Sequence, residues 1–206
     1  MTILCYAKKT CSIGIHVLME EIGLPYDLRI VDISKGEQKT PEYKAINPKG
    51  KVAALVRKDG SVLTEFAAIA MWLSMTNPDK KLMPLDAEGI VRTIESLDYL
   101  VGTVHMLSWR MWRRPDVYSD HPVGQELLRT RGKAAMLNAL DMVDKQLLDK
   151  EYLMGDFSIA DAALYYNEFW AVDVAGWKLP ENVQKHYERM KTRPSVQASR
   201  ELEGVN

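Results

Sequence analysis

Apolar positions follow two regimes along the chain: short runs alternating with helical spacings over the first eighty residues, and helical spacing alone beyond them. Thr2 to Tyr6 is a short apolar strand that ends at Ala7-Lys8-Lys9-Thr10. From Cys11 to Ile22 the period turns helical, with Ile15, Leu18, Met19 and Ile22 at three- and four-residue intervals and Gly23 and Pro25 as the stop. Asp27 to Ile33 reads as a second strand. Thr40 as N-cap and Pro41 at the first helical position open a short helix that Asn47-Pro48-Lys49-Gly50 ends. Val52–Val56 and Ser61–Thr64 flank Lys58-Asp59-Gly60, whose Asp-Gly pair predicts a hairpin. Glu65 to Met75, with Ala67, Ala68, Met71, Trp72 and Met75, predicts a helix packed on that sheet. The resulting order is βαβαββα.

Asn77 to Pro84 is a polar stretch bracketed by Pro78 and Pro84, which disfavour a helix running through it. Past it strand signals vanish, and Glu88–Trp112, Val123–Leu148, Ile159–Val174 and Asn182–Thr192 carry apolar residues at helical spacing. The expected organisation is an α/β domain over 1–76, a linker over 77–86 and an all-α helical bundle over 87–206.

Composition narrows the partners. The 206 residues, 47% hydrophobic, suffice for a substantial core, in one large domain or two small ones. Twenty-seven basic and twenty-eight acidic residues give a net charge of -1, so no global field draws the protein to nucleic acid or to an anionic membrane. A small, locally recognised ligand is the expected partner. The apolar stretch Met1–Tyr6 is far short of a signal-peptide core or of the ~20 apolar residues of a membrane span, which predicts cytoplasmic residence. Cys5 and Cys11 are too few for a secreted disulfide scaffold and suit a reducing compartment.

Cys11 stands at the predicted start of a helix, where backbone N–H groups and the helix dipole favour an anion, and Lys8 and Lys9 precede it. A thiolate there is expected to form more easily than at an ordinary cysteine. The alternative is a small buried cysteine filling space beside the first strand, which is also the reading for Cys5. Gly14 occupies the place of the second cysteine of a Cys-x-x-Cys pair, so Cys11 would react with an external thiol. Ser158 and Asp161 have the spacing of a capping box before an apolar helix, a structural role that keeps Asp161 out of the catalytic set.

Four ordered motifs, Cys11-Ser12, Asn47-Pro48-Lys49-Gly50-Lys51-Val52, Leu63-Thr64-Glu65 and Gly155-Asp156-Phe157-Ser158-Ile159-Ala160-Asp161, resemble those of the cytosolic glutathione transferases, nearest to their bacterial beta class. The resemblance spans nearly the whole chain. It implies a thioredoxin-like front domain, a helical back domain and glutathione as co-substrate, with no metal. It also implies a small apolar electrophile as second substrate and a homodimer. By resemblance, Glu65 contacts the γ-glutamyl group and Val52 offers its backbone to the cysteinyl unit. Lys35, Phe66 and Asp98 join the glutathione-binding set, Asp98 across the subunit interface. His105 stands beside the cysteine and the electrophile pocket. Read without the family, His105 is a polar residue on a long helix. Trp109 and Trp112 follow His105 on much the same helical face, where they wall an apolar pocket or belong to the bundle core.

Three positions depart from the family pattern. Ala53 replaces a cis-proline, so that either the Val52–Ala53 bond is trans and the glutathione-binding backbone is re-aimed, or the fold maintains a strained cis bond. Phe66 stands where relatives have a small residue, and its ring is expected to crowd the γ-glutamyl pocket. Asp98 replaces an asparagine. The leading reading is an enzyme in which Cys11 exchanges mixed disulfides with glutathione or positions its thiolate for attack on an electrophile. The other is a ligand-binding or protein-interaction module on the same scaffold.

Overall fold

Strand β1 (Thr2–Tyr6) lies inside a four-stranded sheet of order β2-β1-β3-β4, formed with β2 (Tyr26–Ile30), β3 (Ala54–Val56) and β4 (Val62–Thr64). β1 runs parallel to β2 with Leu4 opposite Leu28, and antiparallel to β3 with Leu4 opposite Leu55; β3 and β4 form the hairpin. The parallel pair requires a crossover, which α1 (Ser12–Ile22) supplies. The computed structural model describes residues 1–205, and the chain falls into two compact units: Met1–Met83 together with the segment from Met190 onward, and Pro84–Arg189.

In the first unit α2 (Pro41–Lys44) begins where Thr40 Oγ1 accepts from the Tyr43 N–H (3.3 Å), as its Thr-Pro start predicts. α3 (Phe66–Thr76) buries Phe66, Ile69, Ala70 and Leu73, a stripe at three- and four-residue spacing. α1 is buried nearly all round, because the sheet takes one side and a C-terminal helix takes another. That helix, α9 (Pro194–Glu203), corrects the sequence reading, which ends its helices at Thr192 and assigns everything after residue 86 to the helical half. Its Pro194 is at a helix start, and its polar anchors lie on α1: Glu203 Oε1 is 3.1 Å from His16 Nδ1, and Arg193 Nε donates to Glu21 Oε1 at 2.9 Å.

In the second unit α4 (Ala87–Asp98) continues as a π-helical stretch, Tyr99–Trp109, into α5 (Arg110–Arg113). α6 (Pro122–Gln146) packs along it, closely enough that a Cβ on Gly132 would lie 2.6 Å from the Trp112 nitrogen and 2.8 Å from the Ser108 carbonyl oxygen. α7 (Ile159–Phe169) is buried at every residue, and a π turn, Trp170–Val174, extends it. Its start is the capping box the spacing predicts: Ser158 Oγ accepts from the helix, and Asp161 Oδ2 accepts from the Ser158 N–H at 2.8 Å. α8 (Glu181–Thr192) brings His186 between Glu168 Oε1 (2.8 Å) and Asp161 Oδ1 (3.2 Å), all three fully buried. Among the described residues no helix is long and apolar enough to cross a membrane.

Candidate active site

In the first unit the loop after β1 sets the position of Cys11. Thr10 Oγ1 donates to the Ala7 carbonyl (2.8 Å), Ser12 Oγ accepts from the Ala7 N–H (3.2 Å), and the two hydroxyls lie 2.7 Å apart. This ties the loop back to the end of β1 and leaves Cys11 as the half-buried N-cap of α1, with its side chain outside the capping bonds. Cys11 Sγ faces the Val52 carbonyl oxygen at 3.8 Å. Cys5 is fully buried in the cluster with Val31, Tyr43 and Ala54, and burial pushes its thiol up.

The Val52 backbone is fixed from below. Tyr43 Oη and Asn47 Nδ2 both donate to the Lys51 carbonyl, at 2.8 and 2.7 Å. Gly50 closes the turn in the left-handed region (φ 62°), and a Cβ there would lie 2.9 Å from the Gln38 carbonyl oxygen, so only glycine fits both demands. The Val52–Ala53 peptide bond is cis, the second of the two alternatives left open by the sequence.

Glu65 is the N-cap of α3 with φ 74° and ψ 131°, a conformation that L-residues avoid. Its carboxylate is exposed and accepts from Lys49 Nζ at 2.6 Å, while the same ammonium donates to Thr64 Oγ1 at 3.0 Å. Lys49 falls within one of the sequence motifs, but nothing in its spacing marks it as the counterion of Glu65. Phe66 is 5% exposed. It shares the buried stripe with Ile69 and Leu73 instead of crowding the Glu65 end of the helix, because the first helical position here falls on the inward face. Lys35 lies in the turn after β2 with a highly exposed side chain, 3.5 Å from Asp32 Oδ2.

The thiol of Cys11 departs from expectation. Burial pushes it from 9.0 up to about 12; the backbone N–H groups of Cys11 and Ala53 and the Lys51 charge act downward, and the Glu65 charge acts upward. Loss of hydration therefore outweighs the helix terminus.

In the second unit His105 is half-buried on the π-helical stretch. Its Nδ1 is 3.4 Å from Tyr166 Oη, and its ring meets those of Tyr166 and Trp170 edge-on, with centroids 5.6 and 4.7 Å apart. Tyr166 lies 61 positions away, so no local spacing announces the pair. Trp109 is buried and stacks on Trp170 (5.0 Å, 7° between planes), and Trp112 packs edge-on against Trp177 (4.9 Å). Both rings thus contribute to an aromatic cluster within the bundle. Asp98 ends α4 and is exposed.

Residues 10–75 match the glutathione S-transferase N-terminal domain family. Over 206 residues the chain is 32% identical to the glutathione S-transferase GstA of Escherichia coli O157:H7, covering 98% of both proteins. Among solved structures it is similar to a glutathione transferase homologue from Sulfitobacter with bound glutathione (TM-score 0.91, 29% identity, 100% of this chain and 99% of that one). It is also similar to a bacterial beta class glutathione S-transferase of Sphingomonas chungbukensis (TM-score 0.85, 29% identity, 99% and 100%).

Proposed function

The chain belongs to the glutathione S-transferase family, and we propose that it conjugates glutathione to small apolar electrophiles with Cys11 acting as a neutral hydrogen-bond donor to the glutathione sulfur. The observation that carries this reading is the Cys11 thiol: it is held at the start of α1 against the Val52 backbone, and burial keeps it protonated at neutral pH. A protonated thiol donates to a thiolate and favours that charged form of the ligand, whereas nucleophilic disulfide exchange requires Cys11 itself to ionise. Conjugation is therefore favoured over exchange through Cys11.

The supporting groups follow the same chemistry. The Glu65 carboxylate suits the γ-glutamyl ammonium, and the first turn of α3 suits the adjacent carboxylate. Val52 supplies main-chain groups for the cysteinyl unit, and Phe66 contributes backbone alone, since its ring is buried. Lys35 and Asp98 are assigned to glutathione on the family resemblance, as is His105, whose ring Tyr166 and Trp170 orient. Trp109 and Trp112 give the second-substrate pocket an aromatic backing. Cytoplasmic residence and a two-fold dimer belong to this reading. The exposed apolar residues Met75 on α3 and Val91 and Ile94 on α4 support the dimer, and sedimentation should then give twice 23.4 kDa.

The test compares Cys11→Ser with Cys11→Ala in the conjugation of glutathione to 1-chloro-2,4-dinitrobenzene. A hydroxyl still donates, so the serine variant should keep kcat/KM within about tenfold of wild type and the alanine variant should lose about 10²-fold or more. Equal loss in both variants, or no loss in either, contradicts the donor role.

A further inference from the structure

We propose that the cavity between the C-terminal halves of α1 and α3 binds a compact aromatic monocarboxylate, at a site separate from the one built around Cys11. The cavity measures 350 Å³, within the range of small-molecule pockets, and lies wholly in the first unit. Met19, Ile22, Leu24 and Leu73 give it apolar walls, and the β3–β4 turn closes one side. Cys11 stands at the other end of α1, which at 1.5 Å per residue puts it about 16 Å from Ile22.

The ligand's charge follows from Arg57. Its guanidinium lies over the Trp72 ring, 5.6 Å from the centroid, and its Nε is buried with no hydrogen-bond partner. A buried donor of this kind costs free energy until an acceptor reaches it. Asp59, the acidic group on the cavity wall, is engaged by the Ser61 N–H (3.0 Å) and hydroxyl. It touches the Arg57 charge only at longer range. A carboxylate matches the guanidinium fork, and binding would shift Arg57 on Trp72 so that its buried Nε–H turns to the cavity. Arg57 and Lys58 are the cations of the lining and Asp59 offsets one of them, and the net single positive charge suits a monoanion better than a dianion such as a phosphate. The rest of the ligand is set by the wall: Trp72 and Met19 both line the cavity, and an indole and a thioether both favour an aromatic ring as partner.

The probe is 2-naphthoate, titrated calorimetrically into the full-length protein with and without saturating glutathione. The proposal expects binding that glutathione changes by less than about twofold and that Arg57→Gln weakens by about tenfold or more. Uncharged 2-naphthalenemethanol should bind wild type and variant alike. In wild-type protein, naphthoate should move the amide resonances of Lys58, Thr76 and Asn77 and leave those of Val52 and Phe66 in place, a readout that holds even if Arg57→Gln folds poorly. No binding at millimolar naphthoate, displacement by glutathione, shifts confined to Val52 and Phe66, or an Arg57→Gln affinity equal to wild type would each overturn it.

Discussion

Lys49 Nζ and Glu65 Oε1 are 2.6 Å apart at the entrance to α3, each on a side chain about half exposed (51% and 58%). The carboxylate assigned to the ligand ammonium is thus already engaged by a protein ammonium, and glutathione must exchange one cation for another. An exposed pair of this kind contributes about 0–1 kcal/mol, so Lys49 can swing away at little cost. Replacing Glu65 by Gln should weaken glutathione binding about tenfold. Lys49→Met should change it by less than about fivefold, toward tighter binding. Calorimetry at low and high salt checks both, and a Lys49→Met protein that no longer binds would show that the lysine itself holds the ligand.

Glu65 also occupies a backbone conformation suited to glycine, φ 74°. Strain of this sort costs on the order of 1–3 kcal/mol and persists where the site needs it. Glu65→Gly should therefore raise the stability of the free protein by about 1 kcal/mol while lowering glutathione affinity. Denaturant unfolding beside the binding titration decides it; a destabilised Glu65→Gly protein would show that the conformation is not strained.

The buried triad of the second unit makes stability depend on pH. Burial alone would lower the His186 pKa, but Glu168 and Asp161 overcome it and raise it from 6.5 to about 9. A folded-state pKa above the unfolded one means that the contribution is complete below pH 6.5 and is lost as pH rises through about 9. The unfolding midpoint should fall between pH 7 and 9.5. His186→Ala, which leaves two carboxylates buried without their cation, should cost about 3–5 kcal/mol at pH 7. A flat pH profile over that interval would contradict a charged His186.

Much of the fold was legible from residues that act locally. Thr40-Pro41, Asp59-Gly60 and the Ser158–Asp161 spacing each determine a cap or turn within three residues, and each stands where the pattern places it. The missing helix, α9, is held by Glu203 on His16 and Arg193 on Glu21, partners more than 170 positions apart, and its own apolar spacing is sparse. Cys11 shows the same limit at the site. Its place before a helix predicts an easily ionised thiol, but ionisation is governed by burial, which depends on what the rest of the chain packs around the sulfur. The inward turn of Phe66 likewise depends on where α3 begins, and a one-residue shift would have put its ring on another face.

Gly132 marks a close approach of α6 to the π-helical stretch that carries His105 and Trp109 and to α5, which carries Trp112. A methyl group there meets backbone atoms of Ser108 and Trp112 that cannot rotate aside. Overpacking of about 1–3 kcal/mol should outweigh the roughly 1 kcal/mol that alanine gains over glycine in a helix. Thermal melting of Gly132→Ala should show a lower midpoint, and a higher one would mean that the helices separate freely at this crossing.

The protonation state of Cys11 is the point on which the proposed chemistry turns, and thiolate absorbance at 240 nm reads it directly. Titrated without glutathione, wild type minus Cys11→Ala should show no thiolate signal below pH 9, because burial holds the thiol well above its usual range. A difference signal with its midpoint at or below pH 7.5 would make Cys11 a thiolate in the resting protein and contradict the donor role.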